Sequence, residues 1–222
     1  MTDSPTKPKP VKAKSKTSQR DPERTRAQIL EAATSEFAEK GIGGARVDAI
    51  AARAGTNKRM LYHYFGDKDQ LYTAVLGNAY AGIRNAEKKL NLAGRTPEDG
   101  IRELALFTWH YFVDHPEFLS LLGTENLHRA AYLKQLSYIP EMHSHFISEL
   151  AQVLERGEAA GIFLAGTDPL NVYLTMASMT CFYLNNHYTL STIFGRELMA
   201  QDSLDAWKQQ IVSVTLGSIR RR

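Results

Sequence analysis

Residues 54–71 read AGTNKRMLYHYFGDKDQL, a stretch that indicates two helices meeting at a turn. Gly55 closes a short apolar stripe, and a second short helix follows it, as in a helix-turn-helix. In that second helix Leu61 and Phe65 are four residues apart and face one side. Arg59 and His63, also four apart, project from roughly the opposite side. The pattern predicts a helix with a thin buried edge and a cationic, aromatic outer face.

This outer face has the chemistry needed to enter the major groove of DNA. Lys58 and Arg59 can each donate to guanine O6 and N7, and Asn57 can pair with adenine. Met60 and His63 can contact a thymine methyl group or a base edge. Hydroxyl and ammonium groups hold phosphates without reading sequence, and the candidates for that role are Tyr62, Tyr64 and Lys68. The alternative is an ordinary amphipathic helix whose charged face is solvated.

Helix starts are marked on both sides of this motif. DPER at 21–24 predicts a start with Asp21 as the N-cap and proline at the first helical position. The apolar stripe that follows ends at Gly41. After Gly66, the sequence DKDQ at 67–70 predicts a capping box and a long helix.

The remainder of the chain is helical in pattern. Strand alternation is nowhere sustained, and no Asn-Gly or Asp-Gly hairpin signal occurs. Breaks between amphipathic stretches are predicted at 94–100, 114–118, 139–142, 160–169 and 194–202. We therefore expect an all-α fold with about nine helices. The predicted divisions are a disordered basic arm over 1–19, a helix-turn-helix domain over 20–66 and a larger helical domain over 67–222.

Composition narrows the class of protein. The chain has 222 residues, of which 43% are hydrophobic and 23% charged, as in a globular protein. No apolar run approaches the roughly 20 residues that cross a bilayer, and the N-terminus lacks the apolar core of a secretory signal. A cytoplasmic location without membrane contact is therefore expected. The single cysteine, Cys181, can form no internal disulfide.

Charge is distributed unevenly. Residues 1–70 carry 14 Lys and Arg against 9 Asp and Glu, whereas residues 71–222 carry 13 against 15. A basic front half suggests that one end of the molecule meets a polyanion. Residues 1–19 contain five lysines and three prolines, and this arm either follows DNA or is a solvated tail.

At residues 25–76 the sequence TRAQILEAATSEFAEKGIGGARVDAIAARAGTNKRMLYHYFGDKDQLYTAVL resembles the tetracycline-repressor (TetR) family of transcription regulators. It has the IA-x-x-AG, LY-x-YF and capped K-x-x-L motifs in the order of that family. The resemblance implies that residues 57–63 form the recognition helix. It implies base contacts at Asn57, Lys58, Arg59, Met60 and His63, and phosphate contacts at Arg46, Tyr62, Tyr64 and Lys68.

Two departures from the family pattern matter. Arg46 stands where the family usually has serine or threonine as N-cap and phosphate ligand. Arginine cannot cap a helix but can hold a phosphate, so the contact is expected to survive while the cap weakens. The sequence TNKR at 56–59 replaces the frequent VSKG, so the operator sequence cannot be taken from relatives.

The resemblance further implies that the C-terminal part binds a small ligand and forms a dimer. The stretch 169–193 is apolar nearly all round, as expected of a helix buried on more than one side. Together with 203–219 it predicts a four-helix interface with a twofold copy, for which the residues are Leu204, Trp207, Ile211 and Val214. The alternative is the core of a monomer.

Polar residues within apolar helices indicate a ligand pocket, because pockets are mostly apolar with a few convergent polar groups. The candidates are Trp109, His110, Phe112, Glu125, Asn126, Met176, Met179, Thr180, Tyr183 and Asn186. Each of them taken singly is more often a satisfied core residue or a surface group.

Enzyme readings find no support. The chain has no G-x-S-x-G turn, no phosphate-binding loop and no G-x-G-x-x-G after a strand. No metal site and no cofactor are predicted. The sequence predicts a homodimeric, ligand-responsive regulator, most simply a repressor on a palindromic operator of double-stranded DNA that an unidentified small molecule releases. The alternatives are an activator or corepressor-dependent regulator, and a ligand-independent architectural DNA binder.

Overall fold

The computed structural model describes residues 21–221, and nine α-helices account for most of them. The expected all-α fold is confirmed. The predicted arm over 1–19 lies outside the described residues. The helices are α1 Pro22–Gly44, α2 Val47–Arg53, α3 Lys58–Phe65, α4 Lys68–Glu87, α5 Pro97–Asp114, α6 Pro116–Leu127, α7 Ile139–Ala159, α8 Pro169–Phe194 and α9 Gln201–Ile219.

Both helix starts that flank the motif are confirmed. The Asp21 carboxylate accepts hydrogen bonds from the backbone N–H groups of Glu23 and Arg24. Asp67 and Gln70 form the reciprocal capping box at the start of α4. At Gly41, where the sequence indicates an end, φ is +62° and the helix is interrupted before it resumes to Gly44. Glycine suits this position because it adopts positive φ without steric penalty.

Buried apolar side chains form two clusters, and α4 contributes to both. The first cluster joins α1, α2 and α3 to the N-terminal half of α4, which supplies Leu71, Tyr72 and Val75. The second joins α5 to α9 and takes Ile83 from the C-terminal half of α4. Helix α4 therefore connects the two cores.

The break expected at 139–142 is wrong. Helix α7 begins at Ile139, and Pro140 lies in its first turn, where proline is tolerated because those N–H groups have no partner within the helix. The break falls earlier, between α6 and α7, where Arg129 and Ala130 have positive φ. None of the helices within residues 21–221 is long and apolar enough to cross a membrane.

Candidate nucleic-acid interface

Helix α3 has one buried edge and one exposed face, as the sequence predicts. Leu61 is fully buried and Phe65 nearly so, and both pack in the first core cluster. Arg59, Tyr62 and His63 are exposed, and their spacing places them on one face of the helix. This short helix is therefore held by two apolar anchors and presents a cationic and aromatic surface to solvent.

The turn before α3 fixes its first residues. Gly55 has φ +62°, and Asn57 is the N-cap, with its Oδ1 accepting from the backbone N–H of Met60 at 3.0 Å. A bidentate contact to adenine needs both the oxygen and the nitrogen of the amide, and the capping bond occupies one of the two lone pairs of this oxygen. Lys58 pairs with Asp48 at 3.2 Å, with both side chains exposed. Such surface pairs are weak, so Lys58 remains available to another partner.

Arg46 precedes α2 and makes no side-chain cap, as expected. Glu36 of α1, a side chain only 1% exposed, instead fixes the backbone at this position, because its Oε1 accepts from the Arg46 N–H at 3.2 Å. The same oxygen accepts from Lys40 at 2.8 Å. The hydrogen bond from Lys40 is the main reason that the pKa of Glu36 lies below its usual value. The Arg46 side chain remains exposed.

The other phosphate candidates follow in chain order. Tyr62 is 40% exposed, and Tyr64 is half-buried against the first cluster. Lys68 is the first residue of α4 and is half-buried. Tyr62 and Tyr64 thus lie on α3 itself, Lys68 lies at the start of the next helix, and Arg46 lies before α2.

Comparisons with known proteins relate the N-terminal and the C-terminal part of the chain to the same family. Residues 29–75 match the family described as "Bacterial regulatory proteins, tetR family", and residues 97–215 match "Tetracyclin repressor-like, C-terminal domain". The HTH-type transcriptional repressor NicS of Pseudomonas putida is 36% identical over 90% of this chain and 94% of its own length. The HTH-type transcriptional repressor SCO4008 of Streptomyces coelicolor is 36% identical over 71% of this chain and 78% of its own.

Solved structures share the fold. The ketosteroid transcriptional regulator KstR2 of Mycobacterium tuberculosis superimposes with a TM-score of 0.67 at 22% identity, covering 89% of this chain and 95% of that one. An exposed cationic helix held on a helix-turn-helix, joined by one long helix to a larger helical part, defines a one-component DNA-binding regulator. The chain belongs to the TetR family of bacterial transcription regulators, and it is not an enzyme.

Four of the ten pocket candidates belong to the second core cluster, namely Trp109, Phe112, Met176 and Tyr183. Thr180, on the same helix as Met176 and Tyr183, is also buried. The rings of Trp109 and Tyr183 are 5.8 Å apart, and Thr180 donates to the Met176 carbonyl at 2.9 Å. Half-buried Met179 packs against the same cluster. The Tyr183 hydroxyl donates to the Leu198 carbonyl at 2.7 Å, so Thr180 and Tyr183 both have partners within the protein.

The remaining candidates do not converge on that group. Glu125 and Asn126 lie at the end of α6, where Glu125 accepts from the backbone N–H groups of Tyr132 and Leu133. Asn126 donates to the Leu122 carbonyl of its own helix. His110 is exposed, and Asn186 donates to the Phe182 carbonyl. Glu125 holds a loop in place, a role that local helical periodicity does not indicate.

The dimer candidates on α9 differ in how far their side chains are exposed. Ile211 is completely buried in the core of its own protomer and offers no surface to a partner. Trp207 is half-buried, stacks on Tyr183 at 4.9 Å and donates to the Met179 carbonyl. Leu204 is half-buried, and Val214 is 37% exposed. The larger apolar surface lies on α8 and consists of Leu174, Phe182, Tyr188, Ile193 and Phe194, each at least half exposed.

A buried charged pair on α4 was missed by the sequence reasoning. Arg84 Nη1 lies 2.8 Å from Glu87 Oε2, and each side chain is 3% exposed. Within residues 21–221, Arg84 Nε and Nη1 and both oxygens of Glu87 have no aligned hydrogen-bond partner. The signal was present, because Tyr80, Ile83 and Glu87 continue the spacing of the α4 apolar stripe. A charged residue in that register is expected to be buried.

Proposed function

We propose that this regulator is a homodimeric repressor that occupies a palindromic operator and leaves it when a small effector binds the C-terminal part. The observation that carries the proposal is the exposed face of α3, presented by a helix whose opposite edge is buried and followed at once by α4. Two such faces, related by a twofold axis, read two half-sites about one DNA turn apart. The names of the two relatives, both repressors, support the sign of the effect.

The exposed surface of α8 supports the dimer. Large apolar side chains that face solvent on one helix mark an interaction surface. A groove of about 460 Å³ separates α8 from α9 and is lined by Phe182, Phe194, Trp207 and their neighbours. A second copy placed on α8 and α9 by a twofold axis covers this apolar surface, and the interface is self-complementary.

The test is selection of bound fragments from random and genomic DNA with the full chain at a stated salt concentration. Recovery of a palindrome supports the proposal, and effector release is then followed on that fragment. Binding that depends on salt but enriches no sequence contradicts it and favours an architectural binder.

Arg59→Ala is expected to weaken binding of the selected operator by about 1–3 kcal/mol and to relax selection at one base position, because a bidentate guanine contact is lost. The measurement is a repeated selection with the variant. Arg46→Ala serves as the contrast: it should weaken all sequences alike and reduce the salt slope by about one. An unchanged selection by Arg59→Ala would remove Arg59 from the base contacts.

Tyr62→Phe is expected to weaken operator and unrelated duplexes by a similar factor of about tenfold, since one hydrogen bond to a charged phosphate is lost. The ratio of the two dissociation constants, measured at one salt concentration, should therefore stay constant. Tyr138→Phe is the matched control, a tyrosine of similar exposure, 45%, between α6 and α7. A loss confined to the operator contradicts the phosphate role.

A further inference from the structure

The buried pair of Arg84 and Glu87 lies inside the C-terminal part, among helices α4, α5, α7 and α8. The Arg84 guanidinium carbon lies 4.5 Å from the centre of the Phe146 ring and 5.7 Å from that of Tyr173. Arg84 Nη2 donates to the Tyr173 hydroxyl at 3.4 Å, a long contact. The cation is thus enclosed by aromatic faces, and among residues 21–221 its charged contact is the misaligned carboxylate of Glu87.

A pair this deeply buried needs nearly complete hydrogen bonding to offset its desolvation. Here four of its polar atoms lack aligned partners within the described chain. Buried polar groups in native proteins are rarely left in that state, and an exception calls for an explanation. An unsatisfied guanidinium next to aromatic walls is suited to a flat or apolar ligand with one acceptor group.

The sign of the ligand's charge follows from which member of the pair can become neutral. Arginine does not lose its proton in proteins. Glutamate can gain one, and burial raises the pKa of Glu87 to about 8, against the opposing effect of Arg84. An anion that enters can replace Glu87 as the counter-ion while Glu87 is neutralised. A cation that enters would share one carboxylate with Arg84 and leave a buried excess of positive charge.

A route to the pair lies between α4 and α7. A recess of about 10 Å³, room for roughly one water, is bounded by Arg84, Glu87 and Phe146. It shares the walls Glu87, Lys88 and Glu149 with an outer cleft of about 660 Å³. The cleft also carries Glu155 and Arg156, so the two acidic side chains of its outer part, Glu149 and Glu155, are balanced by Lys88 and Arg156. A ligand with a single carboxylate and an apolar body fits the interior, which offers one cation between two aromatic rings.

We propose that Arg84 is the anchor for a small organic monocarboxylate, with Glu87 as a placeholder that the ligand carboxylate displaces. This inference deepens the proposed function and rests on it only for the consequence at DNA. Entry of the ligand parts α4 from α7, and α4 carries the displacement to the first core cluster. Equal affinity for both conformations would shift nothing, so the ligand must prefer the parted one.

The proposal requires that binding be linked to a proton. The groups that face Glu87 are Arg84 on its own helix, Glu149 on α7, Tyr111 on α5 and Tyr173 on α8, with Lys88 and His145 at the recess. Because Glu87 must be protonated when the carboxylate is bound, affinity is highest below the pKa of Glu87. It falls above that pKa by up to about tenfold per pH unit.

The test measures binding to the full chain by calorimetry without DNA, so that its outcome is independent of the proposed repressor role. The probes are benzoate, hexanoate, the neutral isostere benzamide and the cation benzylamine. We expect the carboxylates to bind and benzamide and benzylamine not to bind. Glu87→Gln, which mimics the protonated carboxyl group, should bind the carboxylates without the pH dependence, as tightly as the wild type below the pKa of Glu87 and more tightly above it. Arg84→Met should lower their affinity by about tenfold or more.

Two controls keep the result interpretable. The double variant Arg84→Met with Glu87→Gln removes both charges, so it should fold even if the single arginine variant does not. Arg102→Met changes an exposed arginine on α5 and should bind like the wild type. The proposal is overturned if Glu87→Gln binds none of the carboxylates, if the double variant binds them as the wild type does, or if benzylamine binds and Glu87→Gln abolishes it. Carboxylate binding without any operator recognition would contradict the repressor proposal and still support the carboxylate site.

Discussion

Phe182→Asp is expected to convert the proposed dimer into monomers and to lower operator affinity on the order of a hundredfold or more, because two linked recognition helices bind far better than one. Phe182 lies near the middle of α8, is 59% exposed within the protomer and borders the groove between α8 and α9. A carboxylate placed there would be buried by the second copy without a partner, which is costly. Light scattering and operator titration measure the two effects.

The change should leave the protomer fold intact, since the side chain faces solvent there. Leu127→Asp is the matched control. Leu127 is an apolar residue at the end of α6 that is 85% exposed, and its replacement should alter neither mass nor affinity. If Phe182→Asp remains dimeric with unchanged operator binding, the dimer does not use this face of α8.

Helical periodicity predicts interface residues on α9, although one of them, Ile211, is buried within its own protomer. Periodicity identifies which residues of a helix are apolar, but it does not say which neighbour covers them. Ile211 and Phe182 are equivalent by that criterion, yet Ile211 is fully buried in its own protomer and Phe182 is exposed. Only the packing of α5 and α8 around α9 separates the two cases. The pairing of α8 with α9 was predictable from sequence, whereas the exposed residues were not.

Local chemistry explains what could be predicted. The caps at Asp21 and Asp67 need only a side chain and the next turn of backbone, so the sequence contains all of their determinants. The burial of Leu61 and Phe65 on α3 is likewise predictable, because two apolar residues four apart face the same side of a helix. The start of α7 was misplaced because a proline ends one helix or begins another with the same local signal. The loop before α7 is held by Glu125, whose carboxylate accepts from the N–H groups of Tyr132 and Leu133.

The candidate effector site could not be predicted either, because it also depends on contacts between residues that are distant in sequence. Arg84 and Glu87 are ordinary charged residues three apart on a helix, a spacing typical of exposed ion pairs. Their burial depends on Phe146 and Tyr173, which follow 62 and 89 residues after Arg84. The pocket residues predicted from sequence lie on α5, α6 and α8 instead. Of the buried ones, Thr180 and Tyr183 donate to backbone carbonyls, whereas four polar atoms of the pair on α4 have no aligned partner among the described residues.

Glu125→Ala is expected to lower the free energy of unfolding by about 2–4 kcal/mol, because two backbone N–H groups lose their acceptor. The carboxylate of Glu125 is 2% exposed, and its Oε1 accepts from the N–H groups of Tyr132 and Leu133 at 2.9 Å each. Its charge also adds to the effect of burial in raising the pKa of Tyr72, a fully buried residue of α4. Tyr72 packs edge-on against Phe37 and Tyr132.

Loss of this anchor should therefore loosen both the α6–α7 connection and the contact of α6 with the DNA-binding helices. The measurement is denaturant unfolding of the full chain at constant protein concentration. Glu125→Gln is the control, since the amide oxygen can still accept from both N–H groups. Its free energy of unfolding should fall by less than half as much as that of Glu125→Ala. If alanine and glutamine variants unfold alike, the charge of Glu125 and not its two accepted hydrogen bonds holds the loop, and Tyr72 becomes its important neighbour.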